Sequence, residues 1–462
     1  MNKITFSKNI FSRYFDRLDH AVYYDRKMDR FYLLKGVAAV VSKQLMQCKN
    51  FDIEKIRQVI FEKFDCANHS VEKDIFSVIQ FLEQNNIIDP PSEKTHATQA
   101  TKKSQNKQEN LQTVDSIENE IFSIASDNLI PFHATLEITS HCPLKCIHCF
   151  MPKPVESRWT HESFEKTLLQ LKKLGAMELT ITGGECLSHP QIYDFLTLAE
   201  EHEFIVNVLT NGLFINSHTA QLLAARRPRM VQLSLYAADA STHDAITQVP
   251  GSFEKTTQAI QYLQETGIKP KVACSVMNTN YDKIDALFTW CQKQGIPCSF
   301  DFKIFPSYDT DRKTQNIACF HQPSLQQVMS QKRFNVLLQN PNESHSKPNP
   351  KRKLCTAGHK SLTVTSDGYV LPCNLLRLKV GNVFEKSLEE IWYHSPLLKK
   401  WRAISVSDYP KCANCEAFEH CQACLAGCFI EKGNFKEVDE QTCFFGKLNH
   451  SLIQDSKLIH KT

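Results

Sequence analysis

Short apolar segments rich in β-branched residues alternate with helical segments through the middle of the chain, and this alternation restricts the possible folds most. One helical segment, residues 161–175, has apolar residues at helical spacing and ends at Gly175. Strand–helix units of about 30 residues predict parallel strands covered by helices, in an open doubly wound sheet or in a barrel. The six expected strands are residues 134–139, 178–184, 204–212, 230–237, 271–277 and 298–305.

Three cysteines follow the first expected strand in the stretch HCPLKCIHC, at Cys142, Cys146 and Cys149. Their CxxxCxxC spacing is wider than a redox CxxC pair and lacks the second half of a zinc ribbon. In a barrel, loops after the strands form the active site, so these thiols would lie there. Three thiolates would leave one iron of a [4Fe–4S] cluster open, whereas His141 or His148 as a fourth ligand would make a zinc site. The spacing alone leaves both kinds of site open.

Composition argues against several classes of protein. The chain has 462 residues and a formal net charge of +4, which indicates neither a nucleic-acid-binding surface nor a polybasic membrane patch. No apolar run is long enough for a membrane span, and the N-terminal segment lacks the apolar core of a signal peptide. We therefore expect a cytoplasmic protein whose clustered cysteines bind metal or act in catalysis instead of forming disulfides.

Two polar stretches predict linkers and so divide the chain into three domains. The first predicted linker covers residues 91–127 and the second covers residues 339–353. They separate an N-terminal domain (1–90), a central domain (128–338) and a cysteine-rich C-terminal domain (354–450). In the N-terminal domain, two strand-like pieces, AVYY and RFYLL, precede two amphipathic helical segments, which predicts a small α+β domain.

A glycine-rich motif, TGGECLSHP, follows the second expected strand. Gly183 and Gly184 would let the backbone approach a ligand closely, and Glu185 can accept a hydrogen bond from an ammonium group. Together with the three-cysteine loop, this motif makes the chain resemble the radical SAM superfamily. In that family CxxxCxxC holds a [4Fe–4S] cluster, and GGE contacts the amino group of S-adenosylmethionine. Cys186 stands where the family usually has proline.

The resemblance extends to two further segments, LTNG at residues 209–212 and residues 231–256. It implies that Asn211 and Ser234 contact the cofactor and that His148 lies near its adenine. Local turn bonding is the alternative for Asn211 and Ser234.

Two departures from the family's fourth-strand segment leave other contacts to the cofactor unassigned. Tyr236 stands where an aspartate is usual, and Thr247 where an arginine is usual. The family's chemistry is implied all the same. One electron from the cluster cleaves the cofactor to a 5′-deoxyadenosyl radical, which takes hydrogen from the substrate. An external donor such as flavodoxin or ferredoxin would supply the electron.

Eight more cysteines lie between residues 355 and 443. Two zinc ribbons are one interpretation of their spacing. The segments TSDGYVLPC and GNVFEKSLEEIW make this region resemble the SPASM extension of radical SAM maturases, which carries one or two auxiliary [4Fe–4S] clusters. The resemblance assigns Cys355, Cys373 and Cys428 to one cluster and Cys412, Cys415, Cys421 and Cys443 to another, with Cys424 extra; either Cys421 or Cys424 could take one of these places.

One position in the extension argues against one activity of its relatives. Sulfatase maturases have an aspartate after the cysteine of this D-G-x-x-x-P-C motif, where it serves as a base. Here that residue is Asn374, an amide that cannot take up a proton. We therefore expect no sulfatase maturation, and the sequence identifies no catalytic base.

The N-terminal domain resembles the PqqD-like peptide-recognition domain, in which the leader of a precursor peptide adds a strand to a sheet edge. The resemblance places that leader along the strand containing Phe31 to Leu34, whereas a cap without a role of its own is the alternative. We expect a partial (β/α)6 radical SAM barrel with a SPASM extension and a winged-helix-like N-terminal α+β domain. The expected function is modification of a ribosomally synthesised precursor peptide. The alternatives are maturation of a protein side chain or cofactor precursor, and a zinc-stabilised peptide-binding protein.

Overall fold

The computed structural model describes residues 5–47, 52–64, 71–89, 114–305, 317–318, 325–331, 351, 353–421, 423–435 and 437–459. Its strands are β1 (Thr5–Phe6), β2 (Ile10–Phe15), β3 (His20–Asp25), β4 (Arg30–Lys35), β5 (Ile88–Asp89), β6 (His133–Thr139), β7 (Glu178–Gly183), β8 (Ile205–Thr210), β9 (Met230–Ser234), β10 (Pro270–Ser275), β11 (Cys298–Asp301), β12 (Ser361–Val364), β13 (Tyr369–Leu371) and β14 (Gly381–Asn382). Its helices are α1 (Val37–Gln47), α2 (Ile53–Lys63), α3 (Val71–Gln84), α4 (Val114–Asp127), α5 (His161–Lys173), α6 (Ile192–Glu201), α7 (Ser217–Ala225), α8 (Ala240–Thr247), α9 (Ser252–Glu265), α10 (Ile284–Lys293), α11 (Leu325–Met329), α12 (Leu388–His394), α13 (Pro396–Ala403), α14 (Pro410–Ala413), α15 (Leu425–Lys432) and α16 (Glu440–Ile459). None of these helices is long and apolar enough to cross a membrane.

The N-terminal domain is built on an antiparallel sheet of order β2-β3-β4. Successive side chains of β3 point to opposite faces, as in any strand. Ala21 and Tyr23 pack with the helices α1, α2 and α3, whereas Val22 and Tyr24 belong to a second apolar cluster on the other face. The sequence predicted β3, β4, α2 and α3. It missed β2, because the charged Arg13 interrupts the apolar pattern of that strand.

Helix α4 lies within residues 91–127, so the prediction of a flexible linker is wrong for the second part of that range. Ile121 and Ala125 of this helix are buried, because they pack against the outer face of the N-terminal sheet and against the start of β6. The helix therefore belongs to the packed structure. Residues 90–113 of the expected linker lie outside the described residues.

A buried arginine fixes the N-terminal domain to the core. The Arg13 side chain is 3% exposed, and its Nε donates to the Ala176 carbonyl at 2.6 Å while Nη2 donates to the Glu203 carbonyl at 2.9 Å. Its guanidinium lies 4.6 Å from the centre of the Phe204 ring. These partners precede β7 and β8 directly, so the N-terminal domain packs on the amino ends of the core strands.

The central sheet has the order β11-β10-β9-β8-β7-β6-β12-β13-β14. Strands β6 to β11 are parallel, each paired with the next in sequence, and helices connect them. The expected α/β class with a parallel sheet is confirmed. The last five of the six strands end earlier than expected, because their carboxyl ends turn into loops around a cavity.

The C-terminal region extends the same sheet. Strand β12 pairs in parallel with β6, and β13 and β14 follow it as antiparallel neighbours. Trp392 of α12 is fully buried, and its Nε1 donates to the Leu129 carbonyl at 2.6 Å. Helix α16 continues to Ile459, so the expected domain end at residue 450 is too early. Most of the expected linker 339–353 lies outside the described residues.

Candidate active site

A cavity of about 760 Å³ lies at the carboxyl ends of the parallel strands. This is the end at which parallel α/β proteins place their binding sites. The carboxyl end of each strand from β6 to β11, or the loop after it, contributes to the wall, and Asn374 and Leu375 of the C-terminal region complete it. The expected site residues found on the wall are Cys142, Cys146, His148, Cys149, Gly183, Gly184, Asn211 and Ser234.

The three-cysteine loop is held in place by its backbone. The N–H groups of Lys145 and Ile147 donate to carbonyls at the end of α8, each at 3.0 Å. Burial and the neighbouring Glu185 and Cys149 raise the pKa of Cys142 to about 11. Burial and the two neighbouring thiols raise the pKa of Cys146 to about 12. Without a positively charged partner these thiols would stay protonated, whereas metal coordination deprotonates them.

The donor set fits a soft metal, since thiolate is the ligand that iron–sulfur clusters use. Among the described residues, no three His, Cys, Asp or Glu side chains converge as the ligands of a single ion. Ligands of one zinc ion lie within about 4 Å of each other, whereas ligands to separate irons of a cluster stand farther apart. Three neighbouring thiols on a cavity wall therefore fit a cluster better than one ion.

His148 presents a neutral ring to the cavity. Burial lowers its pKa to about 4. Its Nδ1 is buried and has no hydrogen-bond partner within the described part of the chain. The ring meets that of Tyr236 edge to face, with 4.8 Å between ring centres. A fixed neutral ring with an unused nitrogen can bind a planar polar group such as a purine.

The two glycines after β7 allow a close approach between neighbouring strand ends. A Cβ at Gly183 would lie 2.0 Å from the Thr139 carbonyl oxygen, and one at Gly184 would lie 2.3 Å from the His141 carbonyl oxygen. Gly183 also has a φ of +150°, which side chains rarely adopt. The glycines thus bring the loop after β7 against the start of the three-cysteine loop, in addition to lining the cavity.

Glu185 does not line the cavity, in contrast to the expected contact between its carboxylate and the cofactor. The side chain is 1% exposed and accepts three close hydrogen bonds. The donors are the Leu187 N–H at 2.9 Å, the Thr210 hydroxyl at 2.7 Å and the Asn211 N–H at 2.7 Å. Burial raises its pKa, and these hydrogen bonds act against that rise. Its carboxylate joins the ends of β7 and β8.

The C-terminal thiols form two groups of neighbours. In the first group Cys424 lies with Cys355 and Cys373, where Cys428 was expected, and Cys428 is in turn a neighbour of Cys424. Burial and the neighbouring Cys355 and Cys424 raise the pKa of Cys373 to about 12. Cys428 is buried, and its Sγ donates to Asp439 Oδ2 at 3.4 Å. The second group is the expected one: Cys412, Cys415, Cys421 and Cys443.

A buried ion pair connects the C-terminal region to the cavity wall. Arg377 Nη1 lies 2.7 Å from Glu137 Oε2, and Glu137, on β6, lines the cavity. Burial raises the pKa of Glu137 while Arg377 opposes that rise. Glu137, Arg377 and Asp301, another carboxylate on the wall, were not predicted from the sequence. A charged residue inside an apolar strand, as in ATLEIT, is the signal that could have identified Glu137.

Comparisons with known proteins agree with this arrangement. Residues 136–291 match the model of the radical SAM superfamily, and residues 355–416 match the SPASM iron–sulfur cluster-binding domain. The chain is 28% identical over 329 residues to the subtilosin biosynthesis protein AlbA of Bacillus subtilis, covering 67% of this chain and 70% of that protein. It is 24% identical over 334 residues to the AdoMet-dependent heme synthase of Methanosarcina barkeri, covering 67% of this chain and 95% of that protein.

A solved structure supports the fold over nearly the whole chain. Streptococcus suis SuiB, crystallised with the precursor peptide SuiA, matches with a TM-score of 0.61 and 19% identity, covering 95% of this chain and 99% of that one. The two matched domains imply an S-adenosylmethionine-binding [4Fe–4S] cluster and auxiliary clusters. The zinc interpretation of the cysteines is therefore set aside. The chain contains a radical SAM domain over residues 136–291, followed by a SPASM iron–sulfur cluster-binding domain over residues 355–416.

Proposed function

We propose that this enzyme cleaves S-adenosylmethionine reductively and uses the product to modify a ribosomally synthesised precursor peptide. The observation that carries the proposal is the cavity that Cys142, Cys146 and Cys149 share with the SPASM region. AlbA takes part in the biosynthesis of a bacteriocin, and SuiB binds a precursor peptide. A cavity of this volume has room for a cofactor and for part of a peptide.

The cavity wall divides into parts with different tasks. Cys142, Cys146 and Cys149 would hold the cluster. When bound there, the cluster would supply the electron that cleaves the cofactor's carbon–sulfur bond. His148 would contact the adenine, and Ser234 the remaining polar part of the cofactor. The loops from the SPASM region would close the cavity and exclude water from the reacting groups.

The two groups of C-terminal thiols would hold two auxiliary clusters. We assign Cys355, Cys373 and Cys424 to the first of these clusters, with a fourth position that this group of neighbours does not fill. The second would take Cys412, Cys415, Cys421 and Cys443. The ten thiols assigned to clusters must stay reduced, which favours the cytoplasm, where flavodoxin or ferredoxin could supply the electrons.

The N-terminal domain would bind the leader of the precursor peptide along β4. This strand pairs with β3 on one side, and its other edge has no backbone partner among the described residues. Tyr32 of β4 meets Phe81 of α3, with 6.2 Å between ring centres, so the strand edge lies beside an apolar helix face. An added strand would gain main-chain hydrogen bonds from β4 and selectivity from that face.

Anaerobic reconstitution tests the activity. The full chain, loaded with iron and sulfide and reduced with dithionite, should convert S-adenosylmethionine to 5′-deoxyadenosine. It should also change the mass of a short peptide encoded beside its gene. Cofactor cleavage without modification of any neighbouring peptide would argue against a peptide substrate, and absence of cleavage would argue against the whole proposal.

Two proline variants test the leader site. Deleting residues 1–90 would expose the apolar face that packs on the core, so point changes are cleaner. In an antiparallel strand, successive backbone N–H groups point alternately toward one neighbouring strand position and the other. Of Leu33→Pro and Leu34→Pro, one therefore removes an N–H that points to the free edge of β4 and not to β3, and an edge strand tolerates proline there. That variant should keep the melting temperature and cofactor cleavage but lose most modification of the full precursor. Undiminished modification by both folded variants would contradict leader binding at β4.

A second candidate is maturation of a cofactor precursor, favoured by the similarity to the heme synthase. That similarity covers 95% of the heme synthase but only 67% of this chain, so a third of this chain has no counterpart in it. The additional part favours a larger substrate than heme synthesis requires. Haem formation by the reconstituted enzyme, followed by visible absorbance, would support this second candidate.

A further inference from the structure

Asn211 contacts a cysteine of the three-cysteine loop directly. Its Nδ2 donates to Cys142 Sγ at 3.6 Å, a normal length for an N–H···S bond because sulfur is larger than oxygen. This contact joins the loop after β8 to the loop after β6. From the sequence, Asn211 was expected to contact the cofactor or to form a local turn.

The orientation of Asn211 is fixed by its other polar groups. Its Oδ1 accepts from the Leu213 N–H at 2.9 Å, and its backbone N–H donates to Glu185 Oε2 at 2.7 Å. Its carbonyl accepts from the Thr256 hydroxyl at 2.8 Å. The side chain is 7% exposed. With Oδ1 held by Leu213, the amide nitrogen is the end of the side chain that points at sulfur.

We propose that Asn211 is a positioning residue that sets the reduction potential of the cluster held by Cys142, Cys146 and Cys149. This inference rests on the proposed function, because it requires the cluster at these thiols. An N–H dipole aimed at a ligating sulfur stabilises the electron added on reduction, and hydrogen bonds to sulfur are among the factors that set cluster potentials. The contact therefore raises the potential and makes the cluster easier to reduce.

Glu185 gives this contact a second function. Its buried carboxylate accepts from the Asn211 N–H at 2.7 Å, and the Asn211 side chain donates to Cys142 Sγ, so a negative charge lies close to that sulfur. The backbone of Asn211 accommodates this carboxylate, and its side chain donates to the sulfur. The backbone N–H of Leu144 also donates a hydrogen bond to the Cys142 sulfur. The carboxylate of Glu185 is needed to join the ends of β7 and β8, and the N–H that Asn211 donates to the sulfur offsets its unfavourable charge.

The test is a redox titration of the full, anaerobically reconstituted chain, followed by electron paramagnetic resonance. The signal that changes when S-adenosylmethionine is added identifies the relevant cluster. In Asn211→Leu and Asn211→Ala, the ratio of reduced to oxidised cluster at a fixed potential should fall about fivefold, because one charge-assisted hydrogen bond is lost. The signals of the auxiliary clusters should not change.

Thr256→Val is the matched control. It removes the hydroxyl that supports the Asn211 carbonyl but leaves the N–H···S contact, so its titration should match that of the original chain. An unchanged potential in both Asn211 variants, or an equal fall in Thr256→Val, would overturn the inference. Loss of the cluster from both Asn211 variants would overturn it too, because assembly and not potential would then depend on this residue. Absence of any cofactor-sensitive signal in the unmodified chain would refute the proposed function instead.

Discussion

The two ends of the parallel core sheet are built from different chemistry. At the amino ends, apolar side chains of the N-terminal sheet and of α4 pack against Phe132, Met177 and Ile205, and Arg13 donates to the carbonyls of Ala176 and Glu203. At the carboxyl ends, thiols, glycines and carboxylates surround a cavity. The same strands therefore carry stability at one end and chemistry at the other, as in barrel enzymes generally.

The two ends also differ in how their buried ionisable side chains are stabilised. At the carboxyl ends, burial raises the pKa values of Cys142, Cys146, Glu137 and Glu185, so charged forms there depend on specific partners. At the amino ends the buried charges have partners: Arg13 has carbonyls and an aromatic ring, and Glu178 pairs with Arg229 at 2.9 Å. Changes at the carboxyl ends should therefore alter activity first, and changes at the amino ends should alter stability first.

Removing the three thiols at the carboxyl ends should have the largest effect. In a variant with Cys142, Cys146 and Cys149 all changed to alanine, 5′-deoxyadenosine production should disappear. Iron content should fall from about twelve to about eight per chain, because each cluster holds about four irons. Chromatography of the nucleoside product and iron analysis provide the measurements. Continued production by the dithionite-reduced variant would mean that another site cleaves the cofactor.

Two neighbouring cysteines should differ in their effect on the auxiliary clusters. Cys424→Ala should remove about four irons, because Cys424 lies with Cys355 and Cys373. Cys428→Ala should keep the iron and cost about 1 kcal/mol of stability, because it removes only a buried thiol that donates to Asp439. Iron analysis and thermal melting distinguish the two. The reverse result would restore the assignment expected from sequence.

At the amino ends, Arg13→Ala should destabilise the protein by about 3 kcal/mol, because it leaves buried carbonyls without donors. Cofactor cleavage per folded molecule should not change. Arg57→Ala is the matched control in the same domain, since its ion pairs are exposed, and should change stability by less than about 0.5 kcal/mol. Denaturant unfolding gives both values. A loss of cleavage in folded Arg13→Ala would show that the two ends are coupled.

Local patterns predicted the parallel sheet and the first cysteine site. Strands β6 to β11 are apolar runs between amphipathic helices, and the spacing of Cys142, Cys146 and Cys149 lies within a single loop. Both features depend on residues that are close together in the sequence, so a local pattern is enough to predict them. For the same reason the helices α2, α3 and α5 were predicted close to their positions in the structure.

Features that depend on distant contacts were not predictable. Strand β2 carries Arg13, whose partner Ala176 is 163 residues away, so its burial leaves no local signal. Strand β12 joins the sheet beside β6, although more than 200 residues separate them in sequence. The position of Cys424 beside Cys355 and Cys373 was not predictable either, because the spacing left open whether Cys421 or Cys424 is a ligand; Cys428, which was expected there, donates to Asp439.

Glu185→Gln should have the smallest effect on cofactor binding. This variant tests whether Glu185 contacts the cofactor or only supports the residues that line the cavity. The carboxylate faces inward and accepts from Leu187, Thr210 and Asn211, so the affinity for S-adenosylmethionine should change less than about threefold. The amide would point its NH2 at one of these donors, which should cost about 1–2 kcal/mol of stability.

Ser234→Ala is the counterpart on the wall itself. It removes the hydroxyl of a residue that lines the cavity, so it should weaken binding of S-adenosylmethionine about tenfold, the equivalent of one hydrogen bond. The melting temperature should fall slightly, because the Ser234 side chain also bonds to Tyr236. Equilibrium binding to the reconstituted enzyme and thermal melting measure both variants. A tenfold loss of affinity in Glu185→Gln at an unchanged melting temperature would mean that the carboxylate turns toward the cofactor when it binds. In that case the buried hydrogen bonds of Glu185 would be part of the binding site, and Glu185 would contact the cofactor instead of only supporting the cavity wall.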